Sequence, residues 1–166
     1  DFPYVNGKLF EENLPMASFD KKMREALLDC CYIDWSKISP AIFGSMFQAV
    51  VSVDQRGNLG QHYTSVPNIM KVIEPLFLNE LYEVFEKAKG DNKKLKELLI
   101  RISKIKIFDP ACGSGNFLII AYKELRKLEM LILKELGEIV FSNIHIGNFY
   151  GIEIDDFAHE IAQLSL

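Results

Sequence analysis

Two glycines one residue apart, Gly113 and Gly115, follow an apolar run that ends at Asp109 and precede a segment of helical periodicity that begins at Asn116. Glycine adopts backbone angles that side chains forbid, and its missing Cβ lets a ligand approach the main chain closely. The first turn of the following helix offers unpaired N–H groups. Because a carboxylate such as Asp109 attracts a cationic group, an ammonium or a sulfonium, the pattern predicts a site for a polar ligand.

The spacing of this turn argues against two common nucleotide sites. A P-loop requires Gly-Lys-Ser/Thr, whereas Gly115 is followed by Asn116 and Phe117. The dinucleotide fingerprint requires a third small residue after the second glycine, where this chain has Leu118. The predicted ligand is therefore polar but not a polyphosphate.

A second acidic stretch has the same relation to a strand. An apolar segment from Phe149 to Ile154 contains Glu153 and is followed by Asp155. A carboxylate has two acceptor oxygens and no donor, so Glu153 suits both hydroxyls of a ribose. Ile154 is then expected to cover one face of an adenine ring.

Apolar spacing predicts the elements that position these acids. Ile105, Ile107 and Phe108 predict a short buried strand, and helical periodicity extends from Asn116 to Leu136. A second strand and a further helix follow. The fold class is therefore α/β, in which ligands bind at the carboxyl ends of parallel strands.

Helical signals dominate upstream. Ser18 is the predicted cap of a helix through Met23, and Ser39 precedes the predicted start of a second. Helical periodicity resumes from Pro67, and Pro75 is expected to kink or divide that helix.

Composition narrows the function class. The chain has 166 residues, of which 49% are hydrophobic, enough for one domain with a core. A formal net charge of −4 argues against this region supplying the main DNA-binding surface. No signal peptide or membrane span is predicted, three cysteines form no disulfide framework, and the histidines lack metal-ligand spacing, so a cytoplasmic protein without a metal site is expected.

Three stretches resemble one family of enzymes. "DPACGSGNFL", Asp109 to Leu118, is similar to motif I of the S-adenosylmethionine-dependent DNA methyltransferases that modify the amino group of adenine. "GIEID", Gly151 to Asp155, resembles their motif II, and "LGQHYTSVPNIMKVIEPLF", Leu59 to Phe77, resembles motif X in its N-terminal position. The upstream "YVNGKLF" and "IDWSKISPAIFGSMFQ" resemble the MmeI-like branch of restriction-modification enzymes.

The resemblance implies a cofactor, S-adenosyl-L-methionine, and residues that bind it. Tyr63, Thr64 and Ser65 would contact its amino-acid end, Glu153 its ribose, and Ile154 and Asp155 its adenine. The methionine part would lie against the motif I turn, at Asp109, Ala111, Gly113 and Gly115, with Asn116 also in the cofactor-binding set.

The resemblance also implies an architecture. The α/β fold would be the start of a Rossmann-like class I methyltransferase sheet, with its first two parallel strands, preceded by a helical N-terminal lobe. Residues 1–58 would form that lobe or spacer, and residues 59–166 the N-terminal part of the methyltransferase domain. DNA would be bound through regions mostly absent from this chain.

The family's catalytic motif, a Pro-Pro pair followed by an aromatic residue, does not occur, because all six prolines are isolated. We interpret this as truncation before the motif, so the chain alone is expected to be inactive. Two alternatives stay open: a methyltransferase for cytosine amino groups or protein glutamine, and a non-catalytic module that senses the cofactor. Cys112 is not predicted to be a nucleophile, because amino-group methylation needs no covalent enzyme intermediate.

Overall fold

The computed structural model describes residues 15, 17–37 and 64–166. The second helix predicted for the N-terminal lobe and the cofactor residue Tyr63 lie outside the described residues. The elements in chain order are α1 (Lys21–Cys31), α2 (Val66–Ile73), α3 (Asn79–Ala88), α4 (Asn92–Ser103), β1 (Ile107–Asp109), α5 (Asn116–Leu136), β2 (Phe149–Gly151) and α6 (Asp156–Ser165).

The first helix begins at a different cap from the predicted one. Asp20, not Ser18, is the N-cap of α1, and its side chain accepts a hydrogen bond of 2.7 Å from the N–H of Met23. An aspartate one residue before the helix satisfies one of the unpaired N–H groups of the first turn, whereas Ser18 lies too far upstream. After the helix, Trp35 donates a hydrogen bond of 2.8 Å from Nε1 to the carbonyl of Cys30.

Helices α2 and α3 form one helical rod with a π-helical turn, Glu74–Leu78, between them. Pro75 lies in this turn, where the N–H of Asn79 donates to the carbonyl of Glu74, five residues back. Proline has no N–H to give to a regular helix, and the wider turn accommodates it. The sequence predicts that Pro75 kinks or divides the helix, and the structure has a division there: the π turn around Pro75 separates α2 from α3 without interrupting the helical course of the chain.

The two strands are parallel and adjacent, with Ile107 opposite Phe149 and Asp109 opposite Gly151. Both strands are shorter than the apolar runs predicted. Beyond the ladder the contact continues: the N–H of Ile152 donates to the carbonyl of Asp109, and the N–H of Cys112 donates to the carbonyl of Ile152, each over 3.0 Å. The predicted sequence of strand, turn and helix is confirmed, and α5 has the predicted bounds.

Helix α5 is the centre of the packing. It crosses the strands and contacts α2 and α4. Its buried side chains contribute to two clusters: Leu118, Leu125 and Leu128 belong to the larger one with the strand residues Ile107 and Phe149. Ile120 belongs to the other, with Ile69 and Ile73 of α2. Within the described residues, no helix combines the length and the apolar composition needed to cross a bilayer.

Candidate functional site

The turn between β1 and α5 is closed by hydrogen bonds among its own residues. The carboxylate Oδ1 of Asp109 accepts a hydrogen bond of 3.1 Å from the N–H of Ala111, and the N–H of Gly115 donates to the carbonyl of Cys112 over 2.9 Å. Gly113 and Gly115 have φ angles of +55° and +81°. Only glycine adopts such angles without strain, so the positions of both glycines follow from the turn.

The two glycines nevertheless have different surroundings. A Cβ added at Gly115 would lie 3.3 Å from the Cβ of Ala162, because α6 packs directly against this part of the turn. A Cβ added at Gly113 would have no atom of the described residues within 4 Å. Gly115 therefore permits close helix packing, whereas Gly113 borders open space.

Glu153 connects the turn to the end of the second strand. Its Oε2 accepts a hydrogen bond of 2.7 Å from the N–H of Gly113, 40 residues away. Its Oε1 accepts hydrogen bonds of 2.9 Å from the N–H groups of Ile154 and Asp155. The sequence predicts that acids from two neighbouring strands lie at one edge of the sheet. Asp109 at the end of β1 and Glu153 two residues after β2 have this arrangement.

Cys112 is close enough to both acids for their charges to affect the pKa of its thiol. Burial raises the pKa of its thiol, and the carboxylates of Asp109 and Glu153 raise the pKa further because each disfavours a nearby thiolate. Among the described residues, no lysine or arginine forms an ion pair with Asp109 or Glu153. The edge of the sheet is therefore acidic and suited to a cationic ligand.

Ile154 and Asp155 have unequal freedom to contact a ligand. Ile154 is 83% exposed, so its side chain offers an apolar surface beside Glu153. Asp155 is the N-cap of α6, and its Oδ1 accepts a hydrogen bond of 2.7 Å from the N–H of Ala158. One oxygen of Asp155 is thus engaged in starting the helix that packs on Gly115.

Thr64 and Ser65 stand immediately before α2, with Ser65 at the N-cap position. The Ser65 side chain makes no capping hydrogen bond to its own helix. Within residues 64–166, no hydrogen bond joins either residue to Asp109 or Glu153. The link to the acidic edge is indirect, since Val66 of α2 packs in the same apolar cluster as Phe117, the second residue of α5.

Asn116 is buried, with 8% of its surface exposed, at the first position of α5. Its side-chain amide has no hydrogen-bond partner among the described residues. Buried polar groups usually have one, so this amide is a donor and acceptor still available near the turn.

Sequence reasoning missed the role of Gly151. A Cβ at Gly151 would lie 2.6 Å from the sulfur of Cys112, closer than packed atoms approach. Gly151 therefore lets the turn between β1 and α5 lie against the end of β2. The only signal in the sequence was a glycine at the end of an apolar run.

These features define a class. A parallel strand pair with a glycine turn after the first strand and an acid after the second is the start of a Rossmann-like sheet, in agreement with the fold class predicted from the sequence.

Comparisons with known proteins show which proteins this chain is similar to. The family described as MmeI, DNA-methyltransferase domain, matches residues 85–166. DNA methyltransferase A of Bacillus subtilis (strain 168) is 55% identical over 172 residues, which cover 100% of this chain and 20% of that protein. A putative type II restriction enzyme and methyltransferase of Methanocaldococcus jannaschii is 30% identical and covered over 18% of its length.

A solved structure agrees with these relatives. The type IIL restriction-modification enzyme MmeI, in complex with DNA, superposes with a TM-score of 0.81 at 53% identity, covering 99% of this chain and 23% of MmeI. The predicted resemblance is thereby confirmed: residues 85–166 match the model of the MmeI DNA-methyltransferase domain, and the whole chain is similar to an MmeI-like methyltransferase region. The chain spans about a fifth of the length of the relatives it matches.

Proposed function

We propose that this chain is the cofactor-binding part of a DNA methyltransferase within a restriction-modification enzyme, and that the methyl group passes from S-adenosyl-L-methionine to the exocyclic amino group of adenine. The proposal rests on two acids, Asp109 and Glu153. Both bond the turn between β1 and α5, which contains Gly113. The family match and the DNA complex of MmeI support the substrate class.

The residues present fit the cofactor. Among the described residues, no atom lies within 4 Å of a Cβ added at Gly113, and the carboxylates of Asp109 and Glu153, which bond the same turn, have no cationic partner. Among the described residues, Asp109 is hydrogen-bonded only through Oδ1, so its second oxygen is available to a cationic group. Ile154 presents an exposed apolar side chain for a ring.

Each residue has a proposed role in binding. Asp109, with Ala111, Gly113 and Gly115, holds the methionine part, and Glu153 accepts from the ribose hydroxyls. Ile154 and Asp155 lie beside the adenine, and Asn116 offers its unpaired amide. Tyr63, Thr64 and Ser65 hold the amino-acid end; they complete a domain that we place at residues 59–166, after a helical lobe at residues 1–58.

The chemistry requires position more than activation. The cofactor supplies a methyl group bonded to a cationic sulfur, so the residues named above have to fix the ligand in one orientation. A duplex hides the amino group of adenine, so the target base has to leave the stack. The Pro-Pro-aromatic motif of the family is not among the 166 residues, and the net charge of −4 does not favour DNA phosphates. Base and duplex binding are therefore assigned to other parts of a longer polypeptide.

Calorimetric titration with S-adenosylhomocysteine tests the cofactor site. We expect Asp109→Ala and Glu153→Ala each to weaken binding by about 1.5–3 kcal/mol, the range for a hydrogen bond to a charged group. Asp156→Ala is the matched control, because this exposed acid lies in the first turn of α6 and outside the proposed set. Unchanged affinity in both site variants, with the fold intact, would exclude the assignment.

Transfer of a tritiated methyl group tests the reaction. With cofactor at saturation, the 166-residue chain should not label DNA, whereas a polypeptide of the relatives' length should label adenine. Label on cytosine would assign the enzyme to a different amino-group acceptor. Label on adenine with the 166-residue chain alone would require the catalytic groups to lie within it.

A further inference from the structure

The Glu153 carboxylate has little acceptor capacity left. Three backbone N–H groups donate to it: those of Ile154 and Asp155 to Oε1 and that of Gly113 to Oε2. A carboxylate has about four lone-pair positions on its two oxygens. About one position on Oε2 therefore remains for a ligand.

This remaining capacity is insufficient for the ligand we propose. The 2′ and 3′ hydroxyls of a ribose are two donors, and Glu153 is the residue assigned to both. Binding the pair therefore requires that one of the three backbone hydrogen bonds be released. The question is which of them the structure leaves able to break.

Two of the three bonds are local. Ile154 and Asp155 are one and two residues from Glu153, and Asp155 is fixed as the N-cap of α6 by its bond to Ala158. The bond to Gly113 instead crosses between two loops. Among the described residues, nothing lies within 4 Å of a Cβ added at Gly113, whereas one added at Gly115 would contact Ala162, so on these two sides the Gly113 end of the turn is the less restrained.

We propose that the Gly113–Glu153 hydrogen bond is the closed form of the cofactor site, and that the ribose hydroxyls open it by taking the place of the Gly113 N–H on Glu153. This inference rests on the proposed function and concerns the order of events at the same site. Opening releases the Gly113 N–H toward the space beside the turn, where the methionine part is assigned. Recognition of the ribose thus makes a second donor available for the other end of the ligand.

The proposed opening depends on the ribose hydroxyls of the ligand. A nucleoside with both ribose hydroxyls opens the turn, and one without them leaves it closed. Adenosine and 2′,3′-dideoxyadenosine share the base and differ only in these hydroxyls, so they are a matched pair of probes.

Amide hydrogen exchange of the ¹⁵N-labelled chain, measured at Gly113 by NMR, tests the proposal. At saturating adenosine we expect exchange at Gly113 to become roughly tenfold faster, the effect of losing one hydrogen bond to a charged group, while Ile154 and Asp155 do not change. Dideoxyadenosine should leave Gly113 protected. S-adenosylhomocysteine should protect Gly113 again, since its methionine-derived part accepts the released N–H.

A variant provides an independent arm without ligand. In Glu153→Ala the Gly113 amide should also exchange roughly tenfold faster, and in the control Asp156→Ala it should not. Bound adenosine with unchanged exchange at Gly113 would refute the closed form but leave the proposed cofactor site standing. Absence of binding by both adenosine and S-adenosylhomocysteine would overturn the proposed function together with this inference. Unchanged exchange in Glu153→Ala would show that the hydrogen bond does not form in solution.

Discussion

Glu129 and Glu153 both accept a backbone N–H from a loop next to β2, yet their surroundings differ. Glu129, in α5, is 1% exposed; it accepts from the N–H of Asn143 (2.9 Å) and the hydroxyl of Ser142 (2.8 Å) and pairs with Arg126. Glu153 is partly exposed and, among the described residues, its only donors are backbone N–H groups.

The difference shows how a structural acid can be told from a binding acid. A buried carboxylate needs a cation and several donors around it to offset its loss of hydration, and Glu129 has both. Such a buried group is already paired within the protein and is not accessible to a ligand. Glu153 has donors but no described cation, and it lies at an open edge, so a ligand can complete its surroundings.

The largest expected effect comes from removing the buried acid. Glu129→Ala leaves Arg126 and the Asn143 N–H without their partner, and we expect the free energy of unfolding to fall by about 3 kcal/mol. Urea denaturation measures this free energy of unfolding. The surface pair between Lys96 and Glu138, 3.0 Å long, provides the control: Glu138→Ala should cost less than about 1 kcal/mol. Equal effects of the two substitutions would contradict the structural role.

The tight contact at the end of β2 should give the next largest effect. Gly151→Ala forces a Cβ against the sulfur of Cys112, and we expect a loss of about 2 kcal/mol in stability from overpacking. Cys112→Ala removes the obstructing sulfur, so the double variant should regain part of the loss. A double variant as unstable as the sum of the single ones would mean that the contact is not the cause.

Glu153→Ala should reduce stability less than Glu129→Ala. Water can replace the carboxylate on the three N–H groups at this open edge, so we expect a loss of about 1 kcal/mol. The same urea measurement, paired with the calorimetric affinity, compares the two acids directly. A stability loss as large as that of Glu129→Ala would assign Glu153 to the scaffold.

The smallest effect concerns the reactivity of Cys112. Because burial and two carboxylates raise its pKa, the thiol should react with iodoacetamide more slowly at pH 8 than Cys30 and Cys31, which are exposed. Glu153→Gln removes one negative charge, which lowers the pKa of the thiol and should speed alkylation by a factor of roughly two to ten. Mass spectrometry across pH 7–10 measures both rates, with Cys30 as the internal reference. A slower Cys112 in the variant would reverse the sign of the electrostatic argument.

Periodicity and strand-end reasoning predicted the frame of the site. Helix α5 has its predicted bounds because its apolar spacing is long and regular, and the acids Asp109 and Glu153 meet because parallel strands place their carboxyl ends together. The role of each cofactor residue, including Tyr63 outside the described residues, stays a prediction.

The rest depends on contacts between distant parts of the chain. Glu129 looks like a solvent-facing acid in a helical pattern, because its donors at Ser142 and Asn143 come from a loop without periodicity. The contact between Gly151 and Cys112 joins two separate turns, and neither residue type signals the other. Local sequence patterns contain no information about such pairs.

The π turn at Pro75 affects how the helical rod of α2 and α3 responds to the loss of one residue. Buried side chains follow the rod at Ile69, Ile73, Leu78, Leu81 and Phe85, so one step, from 73 to 78, is longer than its neighbours. A regular helix repeats about every 3.6 residues, and the extra residue of the π turn keeps the apolar stripe in phase across that long step. Pro75 is exposed and has no N–H to lose. If Pro75 were deleted, the π turn could become regular α-helix and the buried side chains would still lie on one face. The rod therefore tolerates the loss of one residue at this point.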